Sequence, residues 1–184
     1  GEFAVLVKGP ERIRIEFLAP ADRGKLLLVN GKDAWLVLPG TRNPIRVPRS
    51  HRVTGGFAVA DVARTRFVDD YDATVERTDV LAGRTCDVLL LRAKKGRDPA
   101  FPILRVWIDR AESLTRKVVF LLPSGKTARE ATFDEWGTLR GVRTVTRMTI
   151  VDALRSGTTV VDYLDAEKTG LDDALFVPQV PARR

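Results

Sequence analysis

The sequence predicts a mainly β chain, a meander of short antiparallel strands curling toward a barrel with one small helical element over it. Three observations predict this. Apolar and polar residues alternate with period two, turn residues recur at short intervals, and only two stretches carry helical spacing. The alternation is plainest in Arg12-Ile13-Arg14-Ile15-Glu16-Phe17, where Ile13, Ile15 and Phe17 fall on one side of a strand and the charged residues on the other.

The elements follow in order. Gly1-Glu2-Phe3 leads straight into a strand-like segment, a start that fits a processed boundary with an N-terminal segment absent. Lys25 to Val29 and Ala34 to Leu38 flank Asn30-Gly31, a pair suited to the positive φ angles of a tight hairpin. From Phe57 to Phe67 the spacing turns helical, with Phe57, Val59, Val62, Ala63 and Phe67 largely on one side and Gly55-Gly56 in front, so the segment is either a hinged lid over the sheet or a buried plug of the barrel. Further strands are expected over Thr85 to Ala93, Ile103 to Ile108, Leu114 to Leu122, Thr127 to Trp136, Val142 to Ile150 and Thr158 to Leu164. Turn-formers separate them at 96–99, 109–112, 123–126 and 156–157. A short turn near Leu171 to Phe176 closes the pattern, and Asp172 and Asp173 suit its start electrostatically. No linker or repeat interrupts the series, so residues 1–184 are expected to form a single domain.

A chain of 184 residues can bury a core without covalent staples. None is available within the chain, because Cys86 is its only cysteine. The longest apolar runs, such as Leu26 to Val29 and Val118 to Leu122, fall far short of the roughly 20 residues a membrane-spanning helix needs. The net charge of +7, from 31 Lys and Arg against 24 Asp and Glu, favours anionic partners. These charges are scattered, however, and no basic stripe with interleaved aromatics marks a nucleic-acid groove.

Chemistry is sparse. His51 is the only histidine, which excludes a multi-histidine metal site, and one cysteine cannot build a thiolate-rich one. Ser50 and His51 are neighbours whose side chains point apart in an extended chain, and no Gly-x-Ser-x-Gly turn exposes a nucleophile. Cys86 lies in an apolar strand-like run, where an inert buried thiol is expected. Gly125-Lys126-Thr127 imitates the end of a phosphate-binding loop, but Phe120 stands where that motif needs glycine, so a hairpin turn is expected. Asp69, Asp70 and Asp72 around Tyr71 lack the glycine and terminal glutamate of a calcium loop and read as a solvated acidic loop. No cofactor is called for, and a non-enzymatic role is expected.

What remains is the apolar interior. A curled sheet that carries bulky apolar side chains on its concave face must bury them under a cover or against a ligand. Candidate wall residues are Phe17, Trp35, Trp107, Phe120 and Met148; candidate cover residues are Phe57, Val59, Val62 and Phe67.

The order of segments carries a resemblance. Phe17-Leu18-Ala19-Pro20 leads to Gly24-Lys25-Leu26-Leu27-Leu28, then to Asp33-Ala34-Trp35-Leu36-Val37-Leu38-Pro39, Ile45-Arg46-Val47 and Arg49-Ser50-His51-Arg52. Gly55-Gly56-Phe57, Ala60-Asp61-Val62, Asp70-Tyr71, the run from Cys86 to Lys94 and Leu104-Arg105-Val106-Trp107-Ile108-Asp109 continue it. This pattern resembles the bacterial outer-membrane lipoprotein-sorting family, the LolA-like proteins. The resemblance implies a curved antiparallel sheet forming an incomplete, half-open β-barrel with a helical lid. It also implies a periplasmic address and an apolar cavity that receives acyl chains of lipoproteins or other lipids. Its implied partners are an inner-membrane transporter and an outer-membrane acceptor; it supplies no catalytic residues. The function expected is a periplasmic lipid or lipoprotein carrier. The alternative is an envelope scaffold that recruits a protein through its sheet edge.

Overall fold

A computed structural model describes residues 2–9, 11–31, 33–41, 43–47, 66–154, 156–166 and 169–178. Contacts divide the chain into two units, Gly1–Thr65 with Thr169–Arg184, and Arg66–Lys168.

In the first unit, period-two alternation builds a five-stranded antiparallel sheet in chain order: β1 (Phe3–Lys8), β2 (Arg12–Phe17), β3 (Leu26–Asn30), β4 (Asp33–Val37) and β5 (Ile45–Arg46). Residues opposite one another in such a ladder share a face. The pairs Val5↔Ile15, Ile15↔Leu27 and Leu27↔Leu36 therefore align one face, with Ile13, Ile15, Leu27 and Val29 at 0–1% exposure. The other face holds Lys8, Arg12, Arg14, Leu26, Leu28, Trp35 and Val37.

The second unit opens with a single helical turn, α1 (Phe67–Asp70), and continues as a seven-stranded meander: β6 (Tyr71–Leu81), β7 (Arg84–Ala93), β8 (Ile103–Asp109), β9 (Thr115–Leu121), β10 (Thr127–Leu139), β11 (Val142–Asp152) and β12 (Gly157–Asp162). Two-residue turns set the β6–β7 and β10–β11 hairpins. Ala82-Gly83 and Arg140-Gly141 all have positive φ, the geometry that matches strand twist in a tight hairpin. The register aligns Leu91, Leu104, Val106, Val118, Phe120, Ala131, Met148 and Ile150 on one face, all buried. Cys86, Val88, Trp107, Val119 and Leu121 cluster on the other.

The structure refines several expectations. The strands expected from Thr85 to Leu164 are present, and β10 and β11 run further than their apolar alternation, to Leu139 and Asp152. The β3–β4 turn lies one residue later than expected, because Asn30 pairs with Asp33 and Gly31, at φ +57°, begins the turn. Phe67 starts a helix and does not end one: Arg66 before it has φ −103° and ψ 81°, outside helical geometry. The remainder of that expected helix, with Phe57, Val59 and Val62, lies outside the described residues, as do Ser50 and His51. The supposed acidic loop is structured. Asp69 pairs with Arg66, Asp70 with Arg97, and Asp72 belongs to β6 opposite Arg92.

Candidate functional site: an apolar cleft under a C-terminal strap

The last described segment forms a strap over the charged and apolar face of the five-stranded sheet. It carries the 3-10 turn Asp173–Phe176, which packs on β2 and β3. The Asp172 carboxylate accepts from the Ala174 N–H at 2.9 Å and caps this turn. Lys8 donates to the Leu171 carbonyl at 2.6 Å, Lys8 and Arg12 both donate to the Asp173 carboxylate, and Arg14 donates to the Leu175 carbonyl at 3.0 Å. The ammonium of Lys8, helped by the Arg12 guanidinium, holds the Asp173 carboxyl below its usual range. Phe176 is fully buried. These contacts explain why three cations recur at alternate positions of β1 and β2: they meet the strap's carbonyls and one carboxylate.

Strap and sheet border a half-open cleft of about 390 Å³, within the size range of small-ligand sites. Leu26, Leu28 and Val37 form the sheet side, Ala174, Leu175 and Val177 the strap side, and Arg14 and Asp172 contribute polar groups. Arg14 is already held by Glu16 and the Leu175 carbonyl, so its guanidinium is fixed in position at the cleft.

The expected wall residues separate. Phe120 and Met148 share a face of the seven-stranded sheet, at 1% and 2% exposure, and the Phe101 ring packs on Phe120 at 5.1 Å. Phe101 is positioned by the Tyr71 hydroxyl, which donates to its carbonyl at 2.8 Å; burial pushes that phenol well above its ordinary pKa. Trp107 is on the opposite face. Its indole N–H donates to Asp79 at 3.0 Å, and the cations of Arg77 and Lys117 lie 5.7 and 5.3 Å from its ring. That hydrogen bond is the chief reason the Asp79 carboxyl is lowered. Phe17 and Trp35 likewise occupy opposite faces of the five-stranded sheet, Phe17 packing edge-on to Phe3 at 5.1 Å and Trp35 pairing with Leu28. Phe67 is half-buried in α1.

Among the described residues that line the cleft, Phe17, Trp35, Phe67, Trp107, Phe120 and Met148 do not appear. Its side chains come from Arg14, Leu26, Leu28, Val37 and the Asp172–Val177 segment, pieces that the sequence shows but cannot bring together across the chain. Trp136 is a further half-buried residue that no sequence pattern singles out. Its indole N–H is buried with no acceptor among the described residues, and its ring lies 6.3 Å from Phe133.

The reactive groups among the described residues are held in structural contacts. Among the described residues no three His, Cys, Asp or Glu side chains group to hold a metal. Cys86 is fully buried, its thiol 3.6 Å from the Arg84 carbonyl, and burial raises its pKa. Asp109, 1% exposed, is penalised by burial; the N–H groups of Ala111 and Glu112 and the guanidinium groups of Arg116 and Arg84 overcome this and hold its carboxyl at about 2. This cluster is an ion-paired corner of the β8–β9 turn. No helix among the described residues is long and apolar enough to cross a membrane.

Among the described residues two antiparallel sheets, neither closed into a barrel, together with neighbours of the same architecture, define a mainly β, LolA-like open curved-sheet fold of the carrier type. Residues 9–180 match the model of a family described as uncharacterized-protein-like. A LolA superfamily protein from Nitrosomonas europaea is similar over 96% of this chain and 80% of its own, with 29% identity and a TM-score of 0.78. An outer membrane lipoprotein-sorting protein domain from Vibrio parahaemolyticus matches over 95% and 79%, with 18% identity and a TM-score of 0.75. A DUF1329 family protein from Desulfovibrio piger matches over 95% and 79%, with 22% identity and a TM-score of 0.73. No curated protein matches the chain. The chain belongs to the family that the matching model describes, and its fold is LolA-like.

Proposed function

We propose that the chain acts as one LolA-like domain, a non-enzymatic periplasmic carrier that holds acyl chains of lipoproteins or other lipids. The observation that carries this reading is the cleft under the strap, an open space walled by Leu26, Leu28, Val37, Leu175 and Val177 in a carrier-type fold. Each methylene taken from water into such walls contributes about 0.8 kcal/mol before ordering costs, so part of one acyl chain gives useful affinity. Arg14 would meet the carbonyl or phosphate where the chain joins its head group. The buried face with Phe120 and Met148 is a second proposed lining, where the orphan N–H of Trp136 would favour an ester or amide carbonyl. Phe57, Val59, Val62 and Phe67 are the proposed cover, and an inner-membrane transporter and an outer-membrane acceptor the proposed exchange partners.

Native mass spectrometry of gently purified protein, before and after incubation with phospholipid and an acylated peptide, tests the reading. A stoichiometric acyl adduct is expected, weakened at least tenfold by Leu28→Ser and unchanged by Trp107→Phe. A mass that stays free of adducts under all conditions would refute it.

A further inference from the structure

We propose that the free edge of β12 pairs with the same edge of a second copy of this chain, joining two seven-stranded sheets through an antiparallel β12–β12 contact. Among the described residues β12 ends the sheet order and pairs on one side only, with β11. The Tyr163 N–H donates to the Thr146 carbonyl at 2.9 Å, which fixes the phase of the ladder. Because both backbone groups of a residue point to the same side of an antiparallel strand, Gly157, Thr159 and Val161 face β11, while Thr158, Val160 and Asp162 turn their N–H and C=O groups outward. All three outward residues are exposed, Val160 at 48%.

The two edges of this sheet are built differently. β6, at the far side, has a register shift between Val75 and Arg77 and carries Asp72, Glu76, Arg77 and Asp79, features that discourage strand addition. β12 pairs without a register shift, contains no Pro or Lys, and has its one charge at the final residue. Its sequence, Gly-Thr-Thr-Val-Val-Asp, is rich in β-branched residues suited to pairing.

Self-complementarity selects the occupant. In a two-fold register centred on Val160, that residue faces the partner's Val160 and Thr158 faces the partner's Asp162. Every outward N–H and C=O then finds its counterpart, an apolar pair sits at the centre, and each threonine hydroxyl lies across from a carboxylate with no like charges opposed. A slip by two residues either way leaves an outward residue without a strand partner. So narrow a contact belongs to the weak, concentration-dependent class of interfaces.

Sedimentation velocity from about 1 µM to about 1 mM, with hydrogen exchange of the Val160 amide, tests the proposal. The wild-type chain should pass from monomer to dimer as concentration rises, and the Val160 amide should slow at least tenfold in the dimer. Val160→Pro removes an outward N–H while leaving the β11 ladder intact, so it should remain monomeric with unchanged circular dichroism. Val160→Lys, a standard edge blocker that removes no backbone donor, should do the same if the proline variant fails to fold. A wild-type monomer throughout the range overturns the proposal, as does a dimer that Val160→Lys leaves intact. Protection of the Val160 amide in the monomer also overturns it, since the edge would then be filled by something other than a second copy.

Discussion

Phe176→Ala should release the strap, whereas Asp173→Asn should barely loosen it. A fully buried aromatic side chain removes roughly 150–250 Å² from water, which at about 25 cal/mol per Å² corresponds to about 4–6 kcal/mol as an upper figure. Phe176 is at 0% exposure, but it sits on a segment that can yield around the change, so a loss of about 3 kcal/mol is expected. The ion pairs beside it are different in kind. Lys8, Arg12 and Asp173 have side chains 40%, 37% and 62% exposed, where water and salt screen the attraction. Lys8 also keeps its bond to the Leu171 carbonyl when the carboxylate is neutralised. Native-state hydrogen exchange at the Leu175 amide, which donates to the Asp172 carbonyl at 3.2 Å, reads strap opening directly. The phenylalanine variant should raise the opening constant about a hundredfold, since each 1.4 kcal/mol is a factor of ten. Equal acceleration by Asp173→Asn, or no acceleration by Phe176→Ala, would refute the view that burial and not charge fastens the strap.

Three further outcomes follow from local geometry. A Cβ added at Gly137 would lie 2.8 Å from Thr146 Cγ2, so Gly137→Ala should cost about 1–2 kcal/mol by urea denaturation, and Thr146→Ser, which deletes that methyl, should recover most of it. Ala82, exposed at φ +48° before Gly83, holds a conformation asparagine tolerates better; Ala82→Asn should raise stability by about 0.5–1 kcal/mol in the same assay. Asp109 has its carboxyl lowered from 3.8 to about 2, so its contribution is complete above pH 4 and is lost as pH falls toward 2. In an acid titration followed by near-ultraviolet circular dichroism, Asp109→Asn should flatten that part of the stability profile; an unchanged profile would count against the lowered value.

Within single strands the sequence was a good guide. From Arg84 to Asp162 the apolar alternation and turn residues mark strands close to those observed, because each is half-buried and glycine, proline or serine falls in each turn. β6 escaped notice for a physical reason. As an edge strand exposed along most of its length, with Asp72, Glu76, Arg77 and Asp79, it has no apolar stripe to betray it. The faces were harder still. Trp107 and Phe120 both look like wall residues, yet the phase between β8 and β9 depends on turn length and on the register shift beside Trp107, and it puts them on opposite sides. The cleft was illegible for a third reason: Leu28 and Leu175 meet only through the fold, and no local pattern announces a contact across that separation.

The same separation bears on how the molecule is made. Arg66–Lys168 is one continuous stretch whose strands pair with their neighbours in sequence, so its contacts can form as each hairpin is completed. The strap's hydrogen bonds span 161 to 165 residues, from β1 and β2 to a segment synthesised after both sheets. A chain emerging from the ribosome can therefore form its first five strands and its whole seven-stranded sheet while the face bearing Leu26, Leu28 and Val37 is still bare. Until Phe176 arrives, those side chains are an aggregation hazard or a place for a chaperone to hold, and the cleft takes shape only after both sheets have formed.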